Sequence, residues 1–207
     1  MTNRYERQER ERDEMRQAIL DAAGLIVAEE GLKRLSIRKI AERIEYSPGI
    51  IYHYFAGKEA IIEQLLRQGY LEMVSGLDAV SAMESQPEAI FAQTMRRFIE
   101  TSLADGVRYR DIMLNESPSV LSHTAVLFSG AASQREALAL LIRLLRSFDR
   151  LKEKQDDELE LTAQVIWSGA FGLILRLTVE KDLPAAQKER LIRHYLETTL
   201  IMIKHLE

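Results

Sequence analysis

A chain of 207 residues can hold one sizeable core or two modest ones, so a small head joined to a larger body is a natural expectation. It has no cysteine, which excludes disulfide staples, thiolate nucleophiles and cysteine-ligated metals. A net charge of −4 argues against a nucleic-acid binder that is basic throughout, yet between Leu32 and Lys58 the local balance is reversed: Lys33, Arg34, Arg38, Lys39, Arg43 and Lys58 stand against only Glu42 and Glu45.

The opening lacks the apolar stretch of a secretory signal, and the longest apolar run, Val165–Leu175, is too short to span a bilayer. The expected location is therefore cytoplasmic, with no membrane partner. Met15, Ile19, Ala22 and Ile26 recur at helical spacing and predict a first helix over Glu11–Glu30, closed by Gly31. The mixed-charge residues before it read as a solvated extension of that helix. Ser36 is a good N-cap, and Ile37, Ile40, Ala41 and Ile44 form the apolar face of a short second helix that runs to about Arg43. After a turn at Ile44–Tyr46, Ser47 caps a third helix of about two turns, with Pro48 at its first position. It closes at Phe55-Ala56-Gly57. Lys58, Glu59 and the apolar set Ile61, Ile62, Leu65 and Leu66 then begin a long fourth helix.

From Pro87 onward the pattern stays helical, with helices expected near 87–104, 106–115, 119–128, 132–152, 157–180 and 185–205. The fold class is all-α, with about nine to ten helices. A three-helix head over residues 1–60 would precede a helical bundle over 61–207.

Two short helices joined by a tight turn and braced by an apolar helix make a helix-turn-helix, whose second short helix enters the major groove. The residues from Ser36 through Ser47-Pro48-Gly49-Ile50-Ile51-Tyr52-His53-Tyr54-Phe55-Ala56-Gly57-Lys58-Glu59 closely resemble the recognition region of TetR-family regulators, whose Tyr-x-x-Phe and Lys-Glu stand here at Tyr52, Phe55, Lys58 and Glu59. The resemblance covers roughly Met15 to Leu66. It implies that Arg38, Pro48, Gly49, Ile50 and Tyr52 read bases, Arg38 through a guanine edge and Ile50 against a thymine methyl. It further implies that Ser36, Ser47, His53, Tyr54 and Lys58 hold phosphates. Singly, Ile50, Tyr52 and Tyr54 would be packing residues in most helical proteins; their joint occurrence in one span shifts that balance. Glu45 departs from the family, which commonly carries glycine in this turn. Either the turn bears a left-handed residue or it takes another geometry.

The same resemblance implies dimerisation through the last two helices. Val165, Gly169, Gly172 and Arg176 trace one side of the penultimate helix, and Tyr195, Thr198 and Met202 trace one side of the last. For an effector pocket, Met73, Phe91, Met95 and Phe98 are candidates, together with Tyr109, Met113, Phe128 and Trp167, whose bulk suits an apolar ligand. The function expected is that of a repressor that binds a palindromic double-stranded operator as a homodimer and is released by a small, largely apolar effector. Helix four would act as the lever. No cofactor and no metal is expected. A helical adaptor that binds protein, or an architectural DNA binder without a ligand, is the alternative. Catalysis is not expected: the residues three before His53, His123, His194 and His205 are Ile50, Val120, Leu191 and Met202, so the Glu-x-x-His pair of helical metalloenzymes is missing.

Overall fold

The computed structural model describes residues 4–81 and 86–206, with side chains described over 6–69 and 86–206. Among these residues all regular structure is helical. The elements are α1 (Arg4–Glu30), α2 (Ile37–Arg43), α3 (Pro48–Ile51), α4 (Lys58–Ser81), α5 (Pro87–Ala104), α6 (Gly106–Met113), α7 (Pro118–Thr124), α8 (Glu136–Arg146), α9 (Asp156–Val179) and α10 (Ala185–His205). Single 3-10 turns stand at Leu32–Arg34, Ala131–Ser133 and Asp149–Leu151.

The chain forms two compact units. The first takes residues up to Gly69 and also Asp111–Thr124; the second takes Tyr70–Arg110 and everything from Ala125 onward. Helix α4 is continuous through Lys58–Ser81, so position 60 lies inside its first turns.

In the first unit, Ile19, Ala22 and Ile26 of α1 are buried as their spacing predicts, and they meet Ile40 and Ala41 of α2, Ile51, Phe55 and Ile61. Helix α1 starts well before Glu11, because the opening charges pair along it, as Arg7 does with Glu11 at 2.8 Å. Val120 of α7, only 1% exposed, inserts into this same core from a distant part of the chain.

The second unit is built on α5, α8, α9 and α10. Phe91 meets Phe148 edge-on at 6.1 Å, and Leu138, Leu141, Leu145, Ile166, Ala170, Ile174, Ile192 and Leu196 complete the interior. Two expected helices are shorter than their apolar pattern suggests. The predicted helix at 119–128 stops at Thr124 because α9 takes over the backbone groups beyond it. Gln164 Nε2 donates to the carbonyls of Val126 (2.8 Å) and Phe128 (3.1 Å), while the Glu160 carboxylate accepts the N–H groups of Gly130 (2.7 Å) and Ala132 (2.8 Å). The predicted helix at 132–152 is broken into α8 and a 3-10 turn on either side. Its start is displaced by Arg135, whose Nε donates to the Ala125 carbonyl at 2.9 Å.

Candidate nucleic-acid interface and effector cavity

Helix α2 begins at Ser36, whose Oγ accepts the Lys39 N–H at 3.3 Å. It ends in a Schellman turn: Tyr46 N–H reaches the Ala41 carbonyl at 2.9 Å, and Glu45 N–H reaches that of Glu42 at 3.3 Å. Glu45 takes the left-handed conformation this turn requires, at φ 61°. The turn therefore keeps the geometry that glycine would supply, at roughly 1 kcal/mol of strain.

The recognition helix is shorter than predicted. Helical geometry covers only Pro48–Ile51, and the chain continues as turns in which His53 N–H bonds the Ile50 carbonyl and Phe55 N–H that of Ile51. Pro48 occupies the first turn as expected, whereas the Ser47 side chain makes no cap bond. Two anchors hold the segment: Ile51 and Phe55 are buried, and Arg16 of α1 closes its end, donating to the Tyr54 carbonyl at 2.6 Å with its guanidinium over the Phe55 ring at 4.4 Å.

The residues expected to read bases are mostly left outside. Arg38, Pro48, Gly49 and His53 are exposed, Ile50 is half-buried, and Tyr52 stands 61% exposed. A Cβ added at Gly49 would come no nearer than 3.8 Å to Ser47 Oγ, so packing does not call for glycine there. Its effect is to leave the face of α3 clear. Tyr46, half exposed on the adjoining turn, reads from the sequence only as part of that turn.

The basic residues of the head divide into two sets. Arg43 forms a two-pronged bridge to Glu29, at 2.7 and 2.8 Å, and Lys39 pairs with Glu30; both tie α2 to the end of α1. The Arg43 guanidinium holds the Glu29 carboxyl below its ordinary value. Arg38 is on the open side, bonded only one turn along its own helix to Glu42, at 2.7 Å. Ser36 and Tyr54 are half-buried, Ser47 is exposed, and Lys58 opens α4 half-buried.

Against this geometry the comparisons are specific. The family model described as bacterial regulatory proteins, tetR family, matches residues 19–65, which take in most of α1, the helix-turn-helix and the start of α4. Over these residues the chain is similar to the tetR family. The transcriptional repressor KstR2 of Rhodococcus jostii is 33% identical over 79 residues, covering 34% of this chain and 38% of that one. The chain spans less than half the length of the KstR2 repressors it matches. The repressor AcnR of Corynebacterium efficiens is 26% identical over 165 residues, covering 78% and 81%. Among solved structures, FadR of Bacillus subtilis in complex with stearoyl-CoA superposes with a TM-score of 0.68 at 17% identity, covering 88% of this chain and 96% of that one. The all-helical fold is shared.

In the second unit a small open cavity of about 30 Å³ lies among α5, α8 and α9. Thr94, Met95 and Phe98 line it from α5, Ala137, Leu140, Leu141 and Leu144 from α8, and Trp167 from α9. Met95, Phe98 and Trp167 are thus brought together. Phe91 is fully buried beside Phe148, and Phe128 lies under the Arg135 guanidinium at 5.6 Å. Tyr109 packs between Phe98 and Phe171, where burial pushes its phenol above the ordinary tyrosine range. Met113 belongs to the first unit, and the side chain of Met73 lies outside the described residues. Thr94 and the α8 leucines escaped the sequence reading. The signal available was a polar residue on the buried stripe of Phe91, Met95 and Phe98.

On α9, Val165 is 63% exposed, Gly169 and Arg176 are exposed, and Gly172 is half-buried. On α10, Thr198 is exposed and Met202 half-buried. Gly169 has an intramolecular role: an added Cβ would lie 3.1 Å from the Tyr195 ring, whose hydroxyl donates to the Ile166 carbonyl at 2.5 Å. Tyr195 thus joins α10 to α9 within one chain. By length and composition α9 could cross a bilayer, but its apolar residues divide between two faces: Leu159, Ala163, Ile166, Ala170 and Ile174 are buried, while Leu161, Val165 and Val179 are exposed. Among the described residues, no cluster of His, Asp or Glu has the arrangement of a metal site.

Proposed function

We propose that this protein is a ligand-responsive transcriptional repressor that binds a palindromic DNA operator as a homodimer in the cytoplasm. The observation that carries the reading is the bare, outward face of α3, where Gly49 leaves room that the fold does not use and Tyr52, like Arg38 on α2, is exposed. In this reading Arg38, Pro48, Gly49, Ile50 and Tyr52 meet base edges. Ser36, Ser47, His53, Tyr54 and Lys58 meet phosphates and set the register.

The exposed apolar residues of α9, with Leu191 and Ile201 of α10, form the surface through which two copies pair. Pairing sets two recognition helices about one turn of duplex apart. The cavity among α5, α8 and α9 receives the effector, by analogy with the stearoyl-CoA complex of FadR. Effector binding then favours a dimer whose helices no longer match the operator, a coupling of about 1–3 kcal/mol. Repression, rather than activation, is supported by the names of KstR2 and AcnR.

The test is selection of bound DNA from a random pool, followed by titration of the selected duplex over a range of salt. A palindromic consensus is expected, with affinity falling steeply as salt rises. Lys58→Ala should weaken binding to every sequence alike and lower the salt slope by about 1. No sequence preference, or a flat salt response, overturns the reading.

A further inference from the structure

We infer that the ligand of the α5, α8 and α9 cavity is an uncharged, mainly hydrocarbon molecule carrying one oxygen that hydrogen-bonds to Thr94. This deepens the sensor reading and rests on it. Thr94 is 2% exposed, it lines the cavity, and its hydroxyl has no hydrogen-bond partner. The contrast with other helical threonines is direct: Thr124, Thr162, Thr178 and Thr199 each donate to the carbonyl four residues back, at 2.7–3.1 Å. That local solution is the ordinary one for a threonine in a helix. Thr94 does not use it, and its hydroxyl is left for something that enters the cavity.

Every other lining side chain is hydrocarbon, thioether or aromatic, and none carries a charge. An ion pressed among them would lose its hydration with no partner to replace it. Water is a poor occupant for a related reason, since an ordered buried water needs two to four polar partners and the lining side chains carry only the Thr94 hydroxyl and the Trp167 indole N–H amid hydrocarbon. Hydrocarbon fills the space, and one hydroxyl or carbonyl oxygen satisfies Thr94.

Trp167 lines the cavity and is the only tryptophan of the chain, so its emission reports occupancy without a label. Three probes of similar bulk, butylbenzene, para-butylphenol and para-butylbenzoate, are titrated against the full chain. The phenol should perturb Trp167 emission at about fivefold lower concentration than the hydrocarbon, one hydrogen bond's worth, and the benzoate should bind more weakly than both. Thr94→Val should erase the phenol's advantage while leaving the butylbenzene titration in place, and Thr94→Ser should retain it. Equal affinity for phenol and hydrocarbon, an advantage that survives Thr94→Val, or benzoate binding as tight as the phenol's overturns the inference. DNA binding measured on the same preparation without probes separates the two claims. Its loss counts against the regulator, whereas intact DNA binding with no probe preference counts against the cavity chemistry alone.

Discussion

The guanidinium of Arg16 closes the end of the recognition segment twice over, with a 2.6 Å hydrogen bond to the Tyr54 carbonyl and a face-on contact with the Phe55 ring. A four-residue helix has little stability of its own, so its orientation depends on such outside anchors. Arg16→Ala should lower the stability of the head by about 1.5–3 kcal/mol, the range for a charged hydrogen bond lost at a part-buried site. It should also weaken binding to all DNA sequences together. Denaturant unfolding and DNA titration check both, and an unaltered unfolding midpoint would detach Arg16 from this role.

Glu45 bears the left-handed turn between α2 and α3. Glu45→Gly relieves the Cβ clash but loosens the unfolded chain, for a net gain of about 0.5 kcal/mol at most. The thermal midpoint should rise with base preference unchanged. A fall in the midpoint would show that the Glu45 side chain contributes more than its backbone strain removes.

Arg38 is held by Glu42 on the open face of α2. In the proposed reading a guanine edge has to displace that carboxylate, so Glu42→Ala should tighten DNA binding, more at low salt than at high. Arg38→Ala should cost about 1–3 kcal/mol against the preferred base at one operator position and little against the others. Equal losses at all positions would assign Arg38 to the backbone.

Tyr195 gives a pH dependence of defined sign. Burial pushes its phenol up to about 12, against an ordinary tyrosine value near 10. The folded protein thus keeps a proton that the unfolded chain releases. This stability is fully present below pH 10, and it declines as pH rises from about 10 to 12. Tyr195→Phe forfeits the bond to the Ile166 carbonyl at neutral pH but should flatten the alkaline decline. Unfolding midpoints across that range, in both proteins, decide the matter.

Val165, 63% exposed near the middle of α9, lies at the centre of the proposed pairing surface. Val165→Glu should leave the helical content intact and yield a monomer by light scattering at micromolar concentration. A persistent dimer would move the interface elsewhere.

The helix-turn-helix was largely legible in the sequence because its signals are local. Ser36 caps, Pro48 starts a helix, Ile51 and Phe55 bury, and Glu45 marks a strained turn within its own neighbourhood. What escaped depends on residues far apart in the chain. Arg16 and Tyr54 are 38 positions apart, Gln164 and Val126 also 38, and Glu160 and Gly130 are 30. A glutamate and a glutamine on an apolar helix look like surface positions until the loop whose backbone they satisfy is known. For the same reason the apolar residues 125–128 read as helix, although their carbonyls are bonded from the side. The cavity was half legible: aromatic and methionine residues are easily listed as candidates, whereas choosing among them requires knowing which helices meet.

The insertion of Val120 into the core of the first unit bears on how such proteins can be recombined. A fragment ending at Gly69 would lack α7 and leave uncovered the apolar surface that Val120 seals, with Ile112 packed beside it. The first unit is therefore discontinuous in the sequence. A single crossover that grafts it onto another second unit has to import residues 111–124 as well, or find an equivalent plug in the recipient.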